Sequence, residues 1–326
     1  MARKKITGEG KTSEEYWKLR EEELKKIKQD MIDDNKYKKE LSKLYNLAQE
    51  EIEKDIAKDI ASFARKEEIS MAEAKKLISK VDVENFGERA KKYVEDKDFS
   101  DKANKELREY NVTMRTNRLE LLQAKMNLNT VNLANQEELM LQKKLATSFI
   151  AEYERQAGIL GLTVPSEKQL ANLAKSFVEA EFRNVLFSDN IWQNQKELQE
   201  GLENALRRSI LRGENPRKTG AQLRKLVKKE FELKKFAANR IAITETARIQ
   251  IEVQKKSYND AELEEYIYVS EPGSCKVCLP LDGKVFKVAD MMPGTNAPVM
   301  HPFCKCSTAG YFDRTKWDAD LKARGL

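Results

Sequence analysis

The four cysteines and the single histidine of this 326-residue chain all fall between Cys275 and Cys306. They read Cys275-Lys-Val-Cys278, then Leu281-Asp282-Gly283, then His301-Pro-Phe-Cys304-Lys305-Cys306. A Cys-x2-Cys pair sets two thiolates on one tight turn, and His-x2-Cys sets a second pair of donors on another. Four such donors can close a tetrahedron around Zn²⁺. Cys275, Cys278, His301, Cys304 and Cys306 are five candidate ligands where zinc needs four, and spacing does not choose between Cys304 and Cys306. Two other readings stay open: paired disulfides in an exported protein, and free thiols in a reducing compartment. The start Met1-Ala2-Arg3-Lys4-Lys5 runs into polar residues without an apolar stretch, which argues against export.

A catalytic zinc keeps one position open and works beside a proton-moving group. A thiolate-rich set such as this one can be fully closed. One histidine is too few for a nuclease that needs one on the metal and another to activate water. Asp282-Gly283 is first a turn signal. Gly158-Ile-Leu-Gly161 lacks the lysine and the spacing of a phosphate-binding loop. A Ser-His-Asp triad would have to recruit His301 from the metal cluster. The expectation is a structural Zn²⁺ and no catalytic residues.

The elements that must position this cluster are helical. Charged residues make up 35% of the chain against 8% aromatic, with 13 glycines and 7 prolines, a composition of long solvated helices. No run approaches the ~18 apolar residues of a membrane span, so no membrane partner is expected. The fold class expected is mainly α: an extended helical N-terminal half, a helical middle domain and a small α+β zinc-knuckle-like C-terminal module. Residues 1–12 read as a disordered basic tail. Residues 13–160 read as a helical domain, 165–262 as a second helical domain carrying a basic stretch, 263–312 as the Cys/His module and 313–326 as a tail.

Capping boxes at Thr12/Glu15, Ser70/Glu73 and Ser166/Gln169 mark helix starts. The apolar periodicity of Trp17, Leu24, Ile27, Met31, Leu41, Leu44, Leu47, Ile52, Ile56 and Ile60 predicts one helix from Ser13 to about Glu67. Short helices are expected from Ser70 to Lys80 and near Glu84–Val94. One or two long helices follow over Ser100–Ala157, packed through Leu119, Leu122, Met126, Val131, Leu139, Leu145, Phe149 and Tyr153. Gly158–Pro165 breaks the chain. Further helices are expected over Ser166–Leu186, Ile191–Leu211, Thr219–Phe231 and Leu233–Asp260. Glu265–Val269 alternates aromatic and β-branched residues and predicts a strand, with Lys284–Phe286 a second.

From Arg207 to Arg240 twelve Lys or Arg stand against three Glu. Arg207, Arg208, Arg212, Arg217, Lys218, Arg224, Lys225, Lys228 and Lys229 form a candidate phosphate-binding surface for double-stranded DNA. A solvated face, or one that meets an acidic protein, is the competing reading. Phe231 and Phe236 are spaced as core, so base stacking is not indicated. Farther along the same stretch, Arg240, Glu245 and Arg248 lie at helical spacing. They form either an ordinary intrahelical ion pair or a buried pair that docks this helix on the metal module.

The helix motif Arg240-Ile-Ala-Ile-Thr-Glu-Thr246, the following strand, Cys-x2-Cys, Leu-Asp-Gly-Lys-Val-Phe and His-Pro-Phe-Cys-Lys-Cys together resemble the head morphogenesis, or minor capsid, proteins of tailed bacteriophages (the Mu F-like group). The likeness covers roughly residues 165–312. It implies a non-enzymatic virion protein in the head interior, assembled in the host cytoplasm. By the same likeness its partners are the portal protein, scaffold or major capsid protein. The cysteines and His301 carry over as the metal site; Lys305 stands where an arginine is common. Relatives fuse this module to toxin domains, and the stretch after Gly310 is too short for one. The alternatives are a nucleic-acid-binding protein working through the Arg207–Arg240 surface and, more remotely, a metal-dependent hydrolase.

Overall fold

The computed structural model describes residues 13–66, 92, 118–181, 185–211 and 216–311. The basic tail, the boxes at Thr12/Glu15 and Ser70/Glu73, the helix near Glu84–Val94 and the C-terminal tail lie outside those residues, as do the side chains of Trp17, Ile60 and Leu119. Among the described residues the chain is mainly helical, as composition predicts, with one small antiparallel sheet. The helices are α1 (Ser13–Lys66), α2 (Arg118–Leu160), α3 (Glu167–Val178), α4 (Phe187–Leu211) and α5 (Pro216–Asp260). The strands are β1 (Glu265–Val269), β2 (Val285–Lys287) and β3 (Ser307–Tyr311), in the order β2-β1-β3. No described helix is long and apolar enough to cross a membrane.

Local chemistry sets the ends of these helices. Gly161 takes φ +69° after α2, and Leu162 donates its N–H to the Ala157 carbonyl at 2.9 Å, closing the helix end. Gln169 Oε1 accepts from the Ser166 amide at 3.1 Å and from the Ser166 hydroxyl at 2.7 Å, so the box expected there forms. Two boundaries differ from the sequence expectation by four residues or more. Helix α3 stops at Val178, not Leu186. Helix α4 begins at Phe187, not Ile191, because the Asp189 carboxylate reaches back to accept the Leu186 amide at 3.3 Å. The expected break between Phe231 and Leu233 is absent: no Gly or Pro interrupts residues 221–260, and α5 runs through.

The buried face of α1 runs through Glu23, Ile27, Asp34, Tyr37, Leu41, Tyr45, Ala48, Ile52 and Ile56. That row passes Leu47 by, and Leu47 is 61% exposed. In α2 the row through Glu137, Leu141, Leu145 and Phe149 likewise leaves Leu139 57% exposed. Phe231 is buried, whereas Phe236, expected in the core, is 63% exposed. In the first two cases a polar or aromatic residue (Asp34, Tyr37 and Tyr45 in one row, Glu137 in the other) holds the helical register that an apolar count alone would move.

The chain resolves into two compact units, each assembled from separated stretches. One comprises 1–37, 141–181 and 240–326; the other comprises 38–140 and 182–239. The second unit is a helical bundle with a polar knot inside. The Tyr45 hydroxyl donates to Glu137 Oε2 at 2.7 Å, and Gln195 Nε2 donates to the same oxygen at 2.8 Å. Tyr45 also meets the edge of Phe231, ring centroids 6.3 Å apart. Burial raises the Glu137 carboxyl from its ordinary 4.5 to about 7, against the two hydrogen bonds that lower it.

A carboxyl group raised in the folded state keeps its proton while the unfolded chain releases it. Its contribution is therefore full below pH 4.5 and is lost as pH rises through 7. Glu137→Gln should cancel that loss, making the protein more stable than wild type by up to about 3 kcal/mol at pH 8 and little different at pH 5. Urea denaturation at the two pH values measures it; an equal effect at both would show that the carboxyl is ionised throughout.

The first unit holds the sheet and the cysteines. Strand β1 pairs antiparallel with β2 (Tyr266 opposite Phe286) and with β3 (Tyr266 opposite Gly310). The alternation read from the sequence fills both faces. Tyr266 and Tyr268 turn toward Ala247, Ile251 and Tyr258 of α5, while Ile267 and Val269 turn toward Leu24, Ile27 and Met31 of α1. A side chain at Gly310 would meet Leu263 Cδ1 at 2.7 Å, so the leucine side chain just after α5 would have to move aside.

Candidate metal centre

Both donor turns hang from this sheet. The first leaves β1 and carries Cys275 and Cys278 into a short 3₁₀ turn, Leu279–Leu281, begun when the Leu279 amide bonds the Cys275 carbonyl at 2.9 Å. Asp282-Gly283 then turns the chain into β2. Asp282 Oδ1 accepts the Ser270 amide at 2.8 Å, and Gly283, at φ +76°, donates to the Tyr268 carbonyl at 2.8 Å. The aspartate is thus a turn residue. The second donor turn, His301 to Cys304, closes when the Cys304 amide bonds the His301 carbonyl at 3.1 Å. Its tip, Phe303, sits at φ +64°, a left-handed conformation that a bulky side chain rarely takes and that its surroundings must hold in place.

The structure brings all five predicted donors into one cluster. Cys275, Cys278 and His301 form one group of mutually close ligand atoms; Cys278, Cys304 and Cys306 form another, with Cys278 common to both. His301 Nε2 lies 3.1 Å from Cys275 Sγ and 3.3 Å from Cys278 Sγ, and Cys278 Sγ lies 3.9 Å from Cys304 Sγ. With Zn–S near 2.3 Å and Zn–N near 2.0 Å, the edges of a zinc tetrahedron are about 3.8 Å between sulfurs and about 3.5 Å between sulfur and nitrogen. These three spacings lie within about 0.4 Å of such edges, so the cluster could hold a metal ion, although no four of the donors lie mutually within 4.8 Å of one another. Cys275 is exposed, while Cys278, Cys304 and Cys306 are buried with Tyr268, Val299 and Ala247.

The thiols differ in acidity. The neighbouring Cys306 thiol pulls Cys304 down to about 5, and that same contact together with burial pushes Cys306 well up. Burial pushes Cys278 up to about 12. Backbone amides of Cys278 and Val277 lower Cys275, and the Pro302 carbonyl raises His301. One thiolate, at Cys304, is thus already favoured in a nest of thiols.

Several residues that sequence reasoning passed over hold the cluster in place. Lys305, between Cys304 and Cys306, pairs with Asp34 of α1 at 2.8 Å, and Asp34 also binds Lys144 of α2 at 3.1 Å. The Lys305 amide donates to Glu271 at 3.2 Å. Directly after Cys306, the Ser307 hydroxyl donates to Glu23 at 3.0 Å and accepts from Gln254 at 2.9 Å. Thr308 binds Gln254 Oε1 through both amide (3.2 Å) and hydroxyl (2.7 Å). Arg155 joins Glu23 and Glu152 at 2.7 Å each. One signal was available for these: Glu23 and Asp34 occupy the apolar register of α1.

The Arg240–Thr246 motif meets the cluster through its threonine. Thr244 Oγ1 accepts the Phe303 amide at 3.4 Å. Glu245 and Arg248 form a buried intrahelical pair at 2.8 Å, and Arg248 also reaches the Phe177 carbonyl of α3 at 3.4 Å. Arg240 is exposed and does not join the pair.

Of the basic stretch, Lys225, Lys228 and Lys229 are exposed on α5 and make no ion pair among the described residues; Arg224 is half-buried. Arg207 and Arg208 lie on α4, and Arg217 and Lys218 on the first turns of α5, with side chains outside the described set; Arg212 lies outside it altogether. Farther along α5, Lys234 pairs with Glu197 and Lys235 with Glu232.

Residues 200–309 match the family described as Phage Mu protein F like protein. That segment, about a third of the chain, runs from within α4 to β3. It takes in the Thr-Glu-Thr motif and all five metal-ligating candidates, so the family likeness read from the motifs is borne out there. No curated protein and no solved structure matches the chain.

Proposed function

We propose that this chain is a minor capsid, head-morphogenesis protein of a tailed phage that works without catalysis, its C-terminal module stabilised by one structural Zn²⁺. Four of the five donors Cys275, Cys278, His301, Cys304 and Cys306 supply the ligands. The metal would contribute cross-linking of two loops that have little apolar core of their own. The portal protein, scaffold or major capsid protein is its partner, and the head interior is its place. What carries the reading is one coincidence: the segment that matches the phage family also contains every thiol and imidazole of the chain, gathered into two close triads that share Cys278. A thiolate-rich, mostly buried donor set favours a closed site over a hydrolytic one.

The test is assembly. Procapsids made by co-expressing capsid, scaffold and portal proteins with this chain should carry it in few copies through sedimentation. Procapsids of normal yield and shape that exclude it would contradict the reading.

A second reading, contact with packaged double-stranded DNA, is favoured by the exposed Lys225, Lys228 and Lys229 on one helix. Lys225→Glu with Lys229→Glu should weaken duplex binding for all sequences and reduce the salt dependence by about two counterions. Fluorescence anisotropy over a salt series measures this, and binding unchanged by the pair of substitutions would remove the reading.

A further inference from the structure

The metal reading leaves five donors for four positions. We infer that Cys275, Cys278, His301 and Cys304 are the ligands and that Cys306 is a buried, non-ligating thiol packed against the site. This rests on the metal reading above and goes beyond it by dividing the cluster.

The histidine decides the first part. Its Nδ1 lies 2.8 Å from the Pro302 carbonyl oxygen, an acceptor, so Nδ1 carries the proton. Nε2 is left with its lone pair, and it faces Cys275 and Cys278 at 3.1 and 3.3 Å. Imidazole ligands of metals are held by this kind of outer hydrogen bond. Three donors of one tetrahedral face are thereby in place.

The fourth must come from the second sulfur group. Cys304 and His301 are the two ends of one closed turn, as Cys275 and Cys278 are of the other, and Cys304 stands 3.9 Å from Cys278. Cys304 can therefore close the four-donor set through the loop that already carries His301. Cys306 adjoins Ser307, the first residue of β3, whose hydroxyl is fixed between Glu23 and Gln254. Moving Cys306 onto the imidazole side would pull that strand out of its hydrogen bonds. Cys306 packs with Tyr268, Cys278 and Cys304 in the apolar cluster that backs the site.

Two readouts on the full chain separate the possibilities. X-ray absorption of the zinc-loaded wild type should give three sulfurs near 2.3 Å and one nitrogen near 2.0 Å; four sulfurs and no nitrogen would overturn the assignment. Loaded with Co²⁺ alone, Cys306→Ser should keep the wild-type thiolate-to-metal absorption. If that absorption falls by about a third, Cys306 is a ligand and the assignment fails. Cys304→Ser should show that fall. If Cys304→Ser does not fold, the absorption spectrum of wild type together with Cys306→Ser still decides. A wild-type chain that takes up neither metal would overturn the metal reading itself, before any division of ligands.

Discussion

Cys278→Ser should cost the protein its metal and the fold of its C-terminal sheet while leaving most of the helical signal intact. Cys278 is the one donor shared by the two groups of the cluster, 3.3 Å from His301 and 3.9 Å from Cys304. Without it, Cys275 and His301 on one side and Cys304 and Cys306 on the other are no longer bridged. The loops that carry them have few alternatives to metal. Structural zinc in small modules supplies about 10–16 kcal/mol of apparent binding energy, so a lost ligand here should remove at least ~3 kcal/mol of stability from the sheet. The long helices keep their own buried rows, and far-UV circular dichroism should change little. Zinc content and thermal unfolding, measured on the same sample, check this. Full zinc with an unshifted transition would mean that Cys278 binds nothing.

Arg155→Met should be nearly as damaging by a different route. Its guanidinium joins Glu23 and Glu152, both buried, at 2.7 Å. The hydrogen bonds and charge of Arg155 hold the Glu152 carboxyl down to about 2 in spite of burial, whereas burial raises Glu23. Removing one partner of such a buried group typically costs about 3–5 kcal/mol; here Glu23 and Glu152 would lose their shared partner, with Lys26 still 3.6 Å from Glu152. Here two carboxylates would face each other beside Ser307 and Gln254, so the strand after Cys306 should loosen as well. The Glu152 contribution is present above its ordinary 4.5 and is lost as pH falls through 2. In the variant this dependence should shrink, since Lys26 and Gln156 still favour the Glu152 carboxylate but the larger hold of Arg155 is gone. The triple change Glu23→Gln, Glu152→Gln, Arg155→Met should recover much of the loss at neutral pH. Denaturation midpoints of the single and triple variants measure both statements; a single variant as stable as wild type would show that the network contributes nothing.

How far the sequence foretold this structure depends on the kind of signal. The metal donors were visible because Cys and His have few other reasons to gather, and x2 spacing has a direct geometric meaning. The β1 strand was visible because tyrosines alternate with Ile267 and Val269 and both sets are buried. The third strand was not. In Ser307-Thr-Ala-Gly-Tyr311, Ser307, Ala309 and Gly310 have weak strand preference and break any alternation of large residues. It forms because β1 offers an open edge, Gly310 permits close approach and Gln254 pins Thr308. The polar supports were missed for a related reason. Glu23, Asp34 and Glu137 read as solvated positions in a charge-rich helix, yet each lies on the buried row because a partner distant in sequence satisfies it. Periodicity of apolar residues cannot carry that information, and it misplaced Leu47 and Leu139 for the same cause. The interleaving of the two units, with α1, α2 and α5 each contributing to both, likewise depends on contacts between distant stretches.

Zinc per chain, determined by elemental analysis on purified and reduced protein, tests the central claim most directly. The account predicts close to one zinc per chain, lost on Cys278→Ser. A wild-type protein that is metal-free yet unfolds cooperatively at an ordinary temperature would contradict it.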